Sequence, residues 1–264
     1  MIDGSRDDAQ RSPRYSGAAT LLRAPFVEDY MDVDIALVGV PFDGGVENRP
    51  GARLGPRQVR EMSAMMRNVH HVTRLNPHAL CRVADVGDVP IPNYLNLDAA
   101  HSDIQAFFTR LVDASTVPLS VGGDHSISLP ILRAIASGKP VGMVHVDAHT
   151  DTFDTELGNK YTHGTPFRRA VEEGVLDPKR TVQVGIRGAA DSAEGWDYSL
   201  SSGMRVIFME EFTALGVDAV IAEARQVVGN EPTYVSFDVD AIDPAFAPGT
   251  GTPEVGGIST VEAQ

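Results

Sequence analysis

The chain has 264 residues, enough for one large α/β domain or two smaller ones. Its 42% hydrophobic and 22% charged residues are those of a globular protein with a sizeable core. A formal charge of −14 at pH 7 argues against a nucleic-acid or anionic-membrane surface, since both are met by clustered Lys and Arg, and mildly favours a cationic substrate.

Residues 1–17, MIDGSRDDAQRSPRYSG, read as a loose polar N-terminus without the apolar stretch of a signal peptide. The first strand-like run is Val33–Val40, and helical spacing follows over Gly55–Arg67 behind a Gly-Pro start. Leu80–Val86 is the second apolar run. Within it Cys81, the single cysteine, is expected to be a buried inert thiol. With no disulfide available, a reducing compartment and a cytoplasmic location are expected. The alternation continues with a helix over Leu97–Ala114, a strand over Val117–Val121, a helix over Ser128–Ala136 and a strand over Val141–Val146. A helix over Thr165–Glu173, strands over Thr181–Ile186 and Met204–Phe208, a helix over Val217–Val228 and a strand over Tyr234–Val239 complete it. Most of the strand runs are apolar on both faces, as in a parallel sheet covered by helices on both sides. No run approaches the roughly 20 apolar residues that span a bilayer. The expectation is a single α/β domain over residues 1–264: three layers, αβα, around a mainly parallel, doubly wound sheet.

Ligands of such sheets bind at the carboxyl ends of the strands. Three polar clusters lie at strand ends here: Gly122-Gly123-Asp124-His125-Ser126, the stretch Asp147–Asp151, and Asp238–Asp240. The paired glycines permit a tight turn from which His125 can point into the crevice. Strand geometry, if it persists, puts Asp147, His149 and Asp151 on one face, and likewise Asp238 with Asp240. Burying carboxylates side by side is costly unless a cation sits between them. Two imidazoles and four carboxylates exceed the protein ligands of one closed site and suit two divalent ions bridged by carboxylates. A carboxylate-rich set with a few imidazoles and no nearby Cys favours Mn²⁺ over thiolate-seeking metals.

Each cluster also has a plainer reading. An isolated D-x-D is usually a solvated turn, and Asp124 or Ser126 could cap the following helix. His145, deeper in its strand, reads better as a hydrogen-bonded support than as a ligand. Co-occurrence at three strand ends favours the metal site. A metallophosphoesterase also carries D-x-H, but with that motif first and a G-N-H cluster afterwards, which this chain lacks.

In the order GGDHS, HVDAHTD, YTHGTPFRRA and SFDVDAIDPAFAPGTGTPEVGG, the chain resembles the ureohydrolases, the family of arginase, agmatinase, guanidinobutyrase and guanidinopropionase. The likeness runs from GVPFDGGVENRPGARLGPRQVRE to the last residue, and HGTPFRRA with DPAFAPGTGTPE tilts it to the agmatinase-like branch. The resemblance implies an arginase-like fold and two Mn²⁺ ions, with Ni²⁺ as the alternative. One ion would be held by His125, Asp147, Asp151 and Asp238, and the other by His149, Asp147, Asp238 and Asp240. It further implies that His163 shuttles protons, that Glu254 grips a guanidinium, and that Asp151 relays a proton to the leaving amine. From the residues alone, His163 could be a helix cap and Glu254 a surface side chain of a Gly/Pro loop.

The implied reaction is hydrolysis of a guanidino compound to urea and an amine. NVHHVTRLNP together with YTHGTPFRRA is most similar to the guanidino-acid members, guanidinopropionase especially. A guanidinoalkanoate such as 3-guanidinopropionate or 4-guanidinobutyrate is therefore expected ahead of agmatine. Arg49, Arg53, Arg67 and Arg74 are candidates to meet its carboxylate. The resemblance implies a homo-oligomer, trimer or hexamer, and the net charge argues for no nucleic-acid or membrane partner. The resemblance also implies a further C-terminal strand and helix, roughly another 50 residues, so the sequence is expected to be a fragment. A non-catalytic subunit of a ureohydrolase-like complex is the alternative from another class.

Overall fold

A computed structural model describes residues 13–136 and 138–264, so most of the expected loose N-terminus lies outside the described residues. Among the described residues there are seven strands: β1 Ile35–Gly39, β2 Val83–Asp88, β3 Val117–Val121, β4 Val141–Val146, β5 Leu176–Ile186, β6 Arg205–Phe208 and β7 Thr233–Phe237. Every pairing among them is parallel. The helices are α1 Gly55–Ser63, α2 Pro77–Leu80, α3 Leu97–Asp113, α4 Ser128–Ile135, α5 Pro166–Glu172, α6 Glu194–Ser202, α7 Met209–Leu215, α8 Val217–Val228 and α9 Thr260–Ala263.

Helices cover both faces of the strands because the strands are apolar on both. Along β4, Met143 packs with Leu132 of α4 and Phe167 of α5, while Val144 and Val146 pack with Phe212 of α7 and Val220 of α8. Successive strand residues point to opposite faces, so each serves a different helical layer. The helix α3 starts where the Asn96 side chain accepts from the Ala99 N–H at 3.0 Å. It buries Ala100, Ile104, Phe107, Phe108 and Leu111 at helical spacing, against a cluster that includes Ala36 and Val38 of β1. Each such large side chain contributes about 1.5–3 kcal/mol through apolar burial. The result is the expected three-layer α/β architecture.

The single expected sheet is divided among the described residues into two, ordered β2-β1-β3 and β6-β5-β4-β7. The free edges of β3 and β7 border the same cavity, of about 880 Å³. Val117 and Leu119 on one edge strand and Val235 and Phe237 on the other are exposed. One more parallel strand between them would pair both edges and cover this apolar surface. The short helix α2 stands where the strand run was expected to begin at Leu80, and α6 and α7 also escaped apolar periodicity. In α6 the buried positions are small, Gly195 and Ser199, and α7 runs directly into α8 across Gly216. Among the described residues no helix is long and apolar enough to cross a membrane. Cys81 is half-buried rather than buried, since the short helix α2 ends beside it.

Candidate metal centre

The carboxyl ends of β3, β4 and β7 meet at the cavity, and each delivers polar side chains to it. After β3 the chain turns through Gly123, whose φ of +70° suits glycine, and a Cβ there would stand 2.5 Å from the Phe42 carbonyl oxygen. The Asp124 side chain then accepts from the Ser126 N–H at 2.8 Å and from the Gly45 N–H at 2.7 Å. Asp124 is thus a cap, and the cap aims His125 at the crevice. His125 Nδ1 lies 2.8 Å from Asp151 Oδ2, 3.1 Å from Asp147 Oδ2 and 3.3 Å from Asp238 Oδ2. Its Nε2 is 2.7 Å from the Ser236 hydroxyl.

The route by which Asp147, His149 and Asp151 converge differs from the expected one. β4 ends at Val146, so strand alternation does not place them on a common face. Instead the chain turns, with Asp151 in the left-handed region at φ 52°. Such a backbone costs on the order of 1 kcal/mol for a residue other than glycine, and Asp tolerates it better than most. The turn swings Asp151 back to His125. β7 likewise ends at Phe237, and Asp238 and Asp240 meet the site through a 3₁₀ turn at Val239–Ala241. There the Asp238 side chain accepts from the Asp240 N–H at 3.0 Å. Short strands yield to side-chain-capped turns because Asp competes well for neighbouring backbone N–H groups.

A second group forms beside the first. His149 Nδ1 lies 3.1 Å from Asp240 Oδ2 and 3.5 Å from Asp147 Oδ1. Ligand-type atoms therefore gather here in two adjacent groups, His125, His145, Asp147 and Asp151 in one and Asp147, His149 and Asp240 in the other, with Asp147 common to both; Glu47, Glu156 and His163 form a third group. His145 is fully buried, and its Nδ1 lies 3.0 Å from the Gln183 amide nitrogen, which also donates to the Thr150 carbonyl. Accepting at Nδ1 leaves Nε2–H to point at Asp147 Oδ2, 2.7 Å away, so His145 orients a carboxylate rather than offering a lone pair.

The electrostatics of this cluster suit cations. Burial opposes charge on His125, but Asp147, Asp151 and Asp238 outweigh it and hold its pKa well above the usual imidazole value. The same contest at His149, won by Asp147 and Asp240, carries its pKa up to about 11. Burial raises Asp240 to about 8, and the charge of Asp147 adds to the shift. His125 Nδ1 is buried, has carboxylate oxygens within reach, and makes no well-angled hydrogen bond to any of them. An orphaned nitrogen converging with carboxylates is the arrangement a divalent cation satisfies, and the residues present fit a metal pair.

Two further residues flank the metal groups. Glu254 Oε1 is 4.0 Å from His149 Nε2. Its approach depends on Gly188, at φ +79°, where a Cβ would sit 2.5 Å from the Glu254 carboxylate. His163 lines the cavity, with Nε2 2.7 Å from Glu47 Oε2 and 3.9 Å from Glu156 Oε2. The helix α5 starts after Thr165, so His163 is not its cap. Of the four arginines considered from sequence, Arg53 is ion-paired with the buried Asp43, and Arg49 lines the cavity at φ 46°. Among the described residues lining that cavity, Arg49 contributes the single guanidinium. Ser236, Gln183, Glu47 and Arg187 also contact the residues of this centre, and no ligand motif marks them. Arg187 follows β5, a fourth strand end, and its position there was the available signal.

Residues 33–264 match the sequence model of the Arginase family. The chain is 55% identical to guanidinopropionase from Pseudomonas aeruginosa over 258 residues, which is 97% of this chain and 81% of that protein. It superposes with a TM-score of 0.90 on proclavaminate amidino hydrolase from Streptomyces clavuligerus, at 39% identity, covering 96% of this chain and 84% of that one. Formiminoglutamase from Trypanosoma cruzi, solved with Mn2+2, matches with a TM-score of 0.82 at 26% identity, over 92% of this chain and 82% of that one. The match spans both sheets and the three strand ends that build the site, and the chain belongs to the arginase family.

Proposed function

We propose that this protein hydrolyses a guanidino compound to urea and an amine, with a guanidinoalkanoate such as 3-guanidinopropionate or 4-guanidinobutyrate as substrate. The observation that carries the reaction is the Asp147 carboxylate shared by two adjacent groups of ligand-type atoms. Similarity to guanidinopropionase supports the substrate class, and Arg49 at the cavity wall offers a partner for its carboxylate. His125, Asp147, Asp151 and Asp238 would hold one Mn²⁺, and His149, Asp147, Asp238 and Asp240 the other. Carboxylates with imidazoles are the donor set Mn²⁺ prefers, and a solved relative contains Mn²⁺. The bound pair would supply hydroxide at neutral pH by acidifying water.

The chain's own groups do the rest. Glu254 accepts charge-assisted hydrogen bonds from the guanidinium and fixes its plane beside His149. Asp151 passes a proton to the departing amine. His163 exchanges protons with solvent through Glu47, whose side chain is 43% exposed. Burial disfavours the charged form of His163, but Asp151, Glu156 and Glu47 outweigh it and raise its pKa above the usual imidazole value. His163→Ala is expected to lower kcat by about 10²–10⁴-fold, the scale of a general acid–base group. Glu47→Gln removes one of the charges that raise His163, so the pH–rate limb governed by this imidazole should move to lower pH. An unchanged profile in Glu47→Gln would remove Glu47 from the path.

The exposed apolar side chains Met62, Met65, Met66, Val69 and Val72 support a homo-oligomer, and one half-buried thiol fits a reducing cytoplasm. The deciding experiment is urea release from a panel of guanidino acids and agmatine, using metal-stripped protein reloaded with Mn²⁺ or Ni²⁺. Guanidino acids should be preferred, and a preference for agmatine would overturn the substrate class. No urea from any substrate, from protein that binds metal, would favour a non-catalytic subunit.

A further inference from the structure

Glu254 is carried by a long irregular segment. Between the 3₁₀ turn ending at Ala241 and α9, residues 242–259 contain no helix and no strand, only an isolated bridge between Ile242 and Ile258. A carboxylate that must meet a planar guanidinium in a fixed geometry needs a firmer support, because every freely rotating residue has conformational entropy to lose on binding.

Arg187 provides it. The Arg187 side chain reaches from the end of β5 under this loop. Its Nη2 donates to the Glu254 and Asp240 carbonyls, both at 2.7 Å. Nε donates to the Val255 carbonyl at 3.2 Å and to the Glu254 carbonyl at 3.3 Å. Nη1 donates to the Ala241 and Gly185 carbonyls, both at 3.2 Å. One rigid fork thus joins three segments: the β5 end, the turn carrying Asp240, and the loop carrying Glu254. All of these acceptors are main-chain carbonyls, so the guanidinium fixes backbone and leaves the Glu254 and Asp240 carboxylates free for other partners. The planar five-donor geometry of arginine permits this, whereas a lysine ammonium has three donors from a single nitrogen.

We propose that Arg187 is a positioning residue for guanidinium recognition, holding the backbone of Glu254 at a fixed offset from the Asp240 turn. The inference rests on the ureohydrolase reading for the role of Glu254. Gly188 is part of the same device: its missing side chain is the space the Glu254 carboxylate enters.

The test uses the metal-loaded protein, with guanidinium chloride as a binding probe in calorimetry and urea release as the second readout. Arg187→Ala should weaken guanidinium binding by about tenfold or more, the scale of groups that orient a ligand from behind. It should raise KM by a larger factor than it lowers kcat. Arg187→Lys should recover part of the loss. In a double-mutant cycle, Arg187→Ala should add little to Glu254→Gln, because both act through one carboxylate. Additive effects in that cycle, or a lowered Tm with guanidinium affinity unchanged, would overturn the proposal. Gly188→Ala, which crowds Glu254 while sparing Arg187, should reproduce the affinity loss; unaltered affinity there would count equally against it. Failure of the parent protein to release urea would instead strike the catalytic reading, since probe binding is measured without turnover.

Discussion

Asp147→Ala is expected to abolish turnover and to lower the bound metal from two ions per chain to at most one. Asp147 is common to both adjacent groups of ligand-type atoms, and it is almost wholly buried. Burial alone would raise its pKa, but the imidazoles of His145, His125 and His149 hold it well below the usual carboxylate range, so it is ionised throughout the physiological span. Alanine removes that charge from between both cation positions. It also strands the His145 Nε2–H, 2.7 Å away, and the His149 backbone N–H, which donates to Asp147 Oδ1 at 2.7 Å. Each unsatisfied donor costs about 1–3 kcal/mol, so some loss of stability should accompany the loss of metal. Gln183→Ala separates the two effects, because Gln183 touches only His145 and the Thr150 carbonyl in this cluster. It should weaken metal affinity by about 10–100-fold and leave two ions at saturation. Metal content by elemental analysis, with circular dichroism to verify folding, reads both variants. Near-normal activity in a folded Asp147→Ala protein would refute the bridging role.

The residues that gather at this site are legible in sequence, whereas the geometry that assembles them is not. GGDHS, DAHTD and DVD end apolar runs, and the rule that parallel sheets bind ligands at strand carboxyl ends suffices to bring His125, Asp147 and Asp238 together. Strand alternation, however, is the wrong reason for the rest. Asp151 arrives through a left-handed residue and Asp240 through a 3₁₀ turn, both choices made by side chains bonding nearby N–H groups rather than by apolar periodicity. Residues that act through backbone are harder still to foresee. Arg187 looks like any polar residue after a strand, and its meaning appears only when residues 240 and 254 fold onto it. The fold shows the same division. β3, β4 and α8 lie at the boundaries that their apolar patterns indicate, while α6 buries only small residues and has no pattern to see.

The stabilisation conferred by Mn²⁺ should grow with pH, because protons and metal compete for the same atoms. In the metal-free protein His149 titrates at about 11 against an ordinary 6.5, and Asp240 at about 8 against 3.8. Both folded values lie above the unfolded ones. Between pH 3.8 and about 8 the folded chain therefore holds a proton at Asp240 that the unfolded chain has released. The same applies to His149 from pH 6.5 to about 11. Stability falls with rising pH wherever the folded state binds more protons, so the metal-free form should lose stability from neutral to alkaline pH. A divalent pair bound there would replace those protons and remove that dependence. At a free-metal concentration about 100 times Kd, binding adds about 2.7 kcal/mol, which at about 2–4 °C per kcal/mol raises Tm by roughly 5–11 °C. The concentration of Mn²⁺ needed to reach this gain should drop steeply between pH 6 and pH 8.5, as Kd improves with deprotonation. Thermal melts of stripped and loaded protein across that range give the two curves directly. Curves that stay parallel, or that converge as pH rises, would show that Mn²⁺ binds somewhere other than among His125, His149 and Asp240.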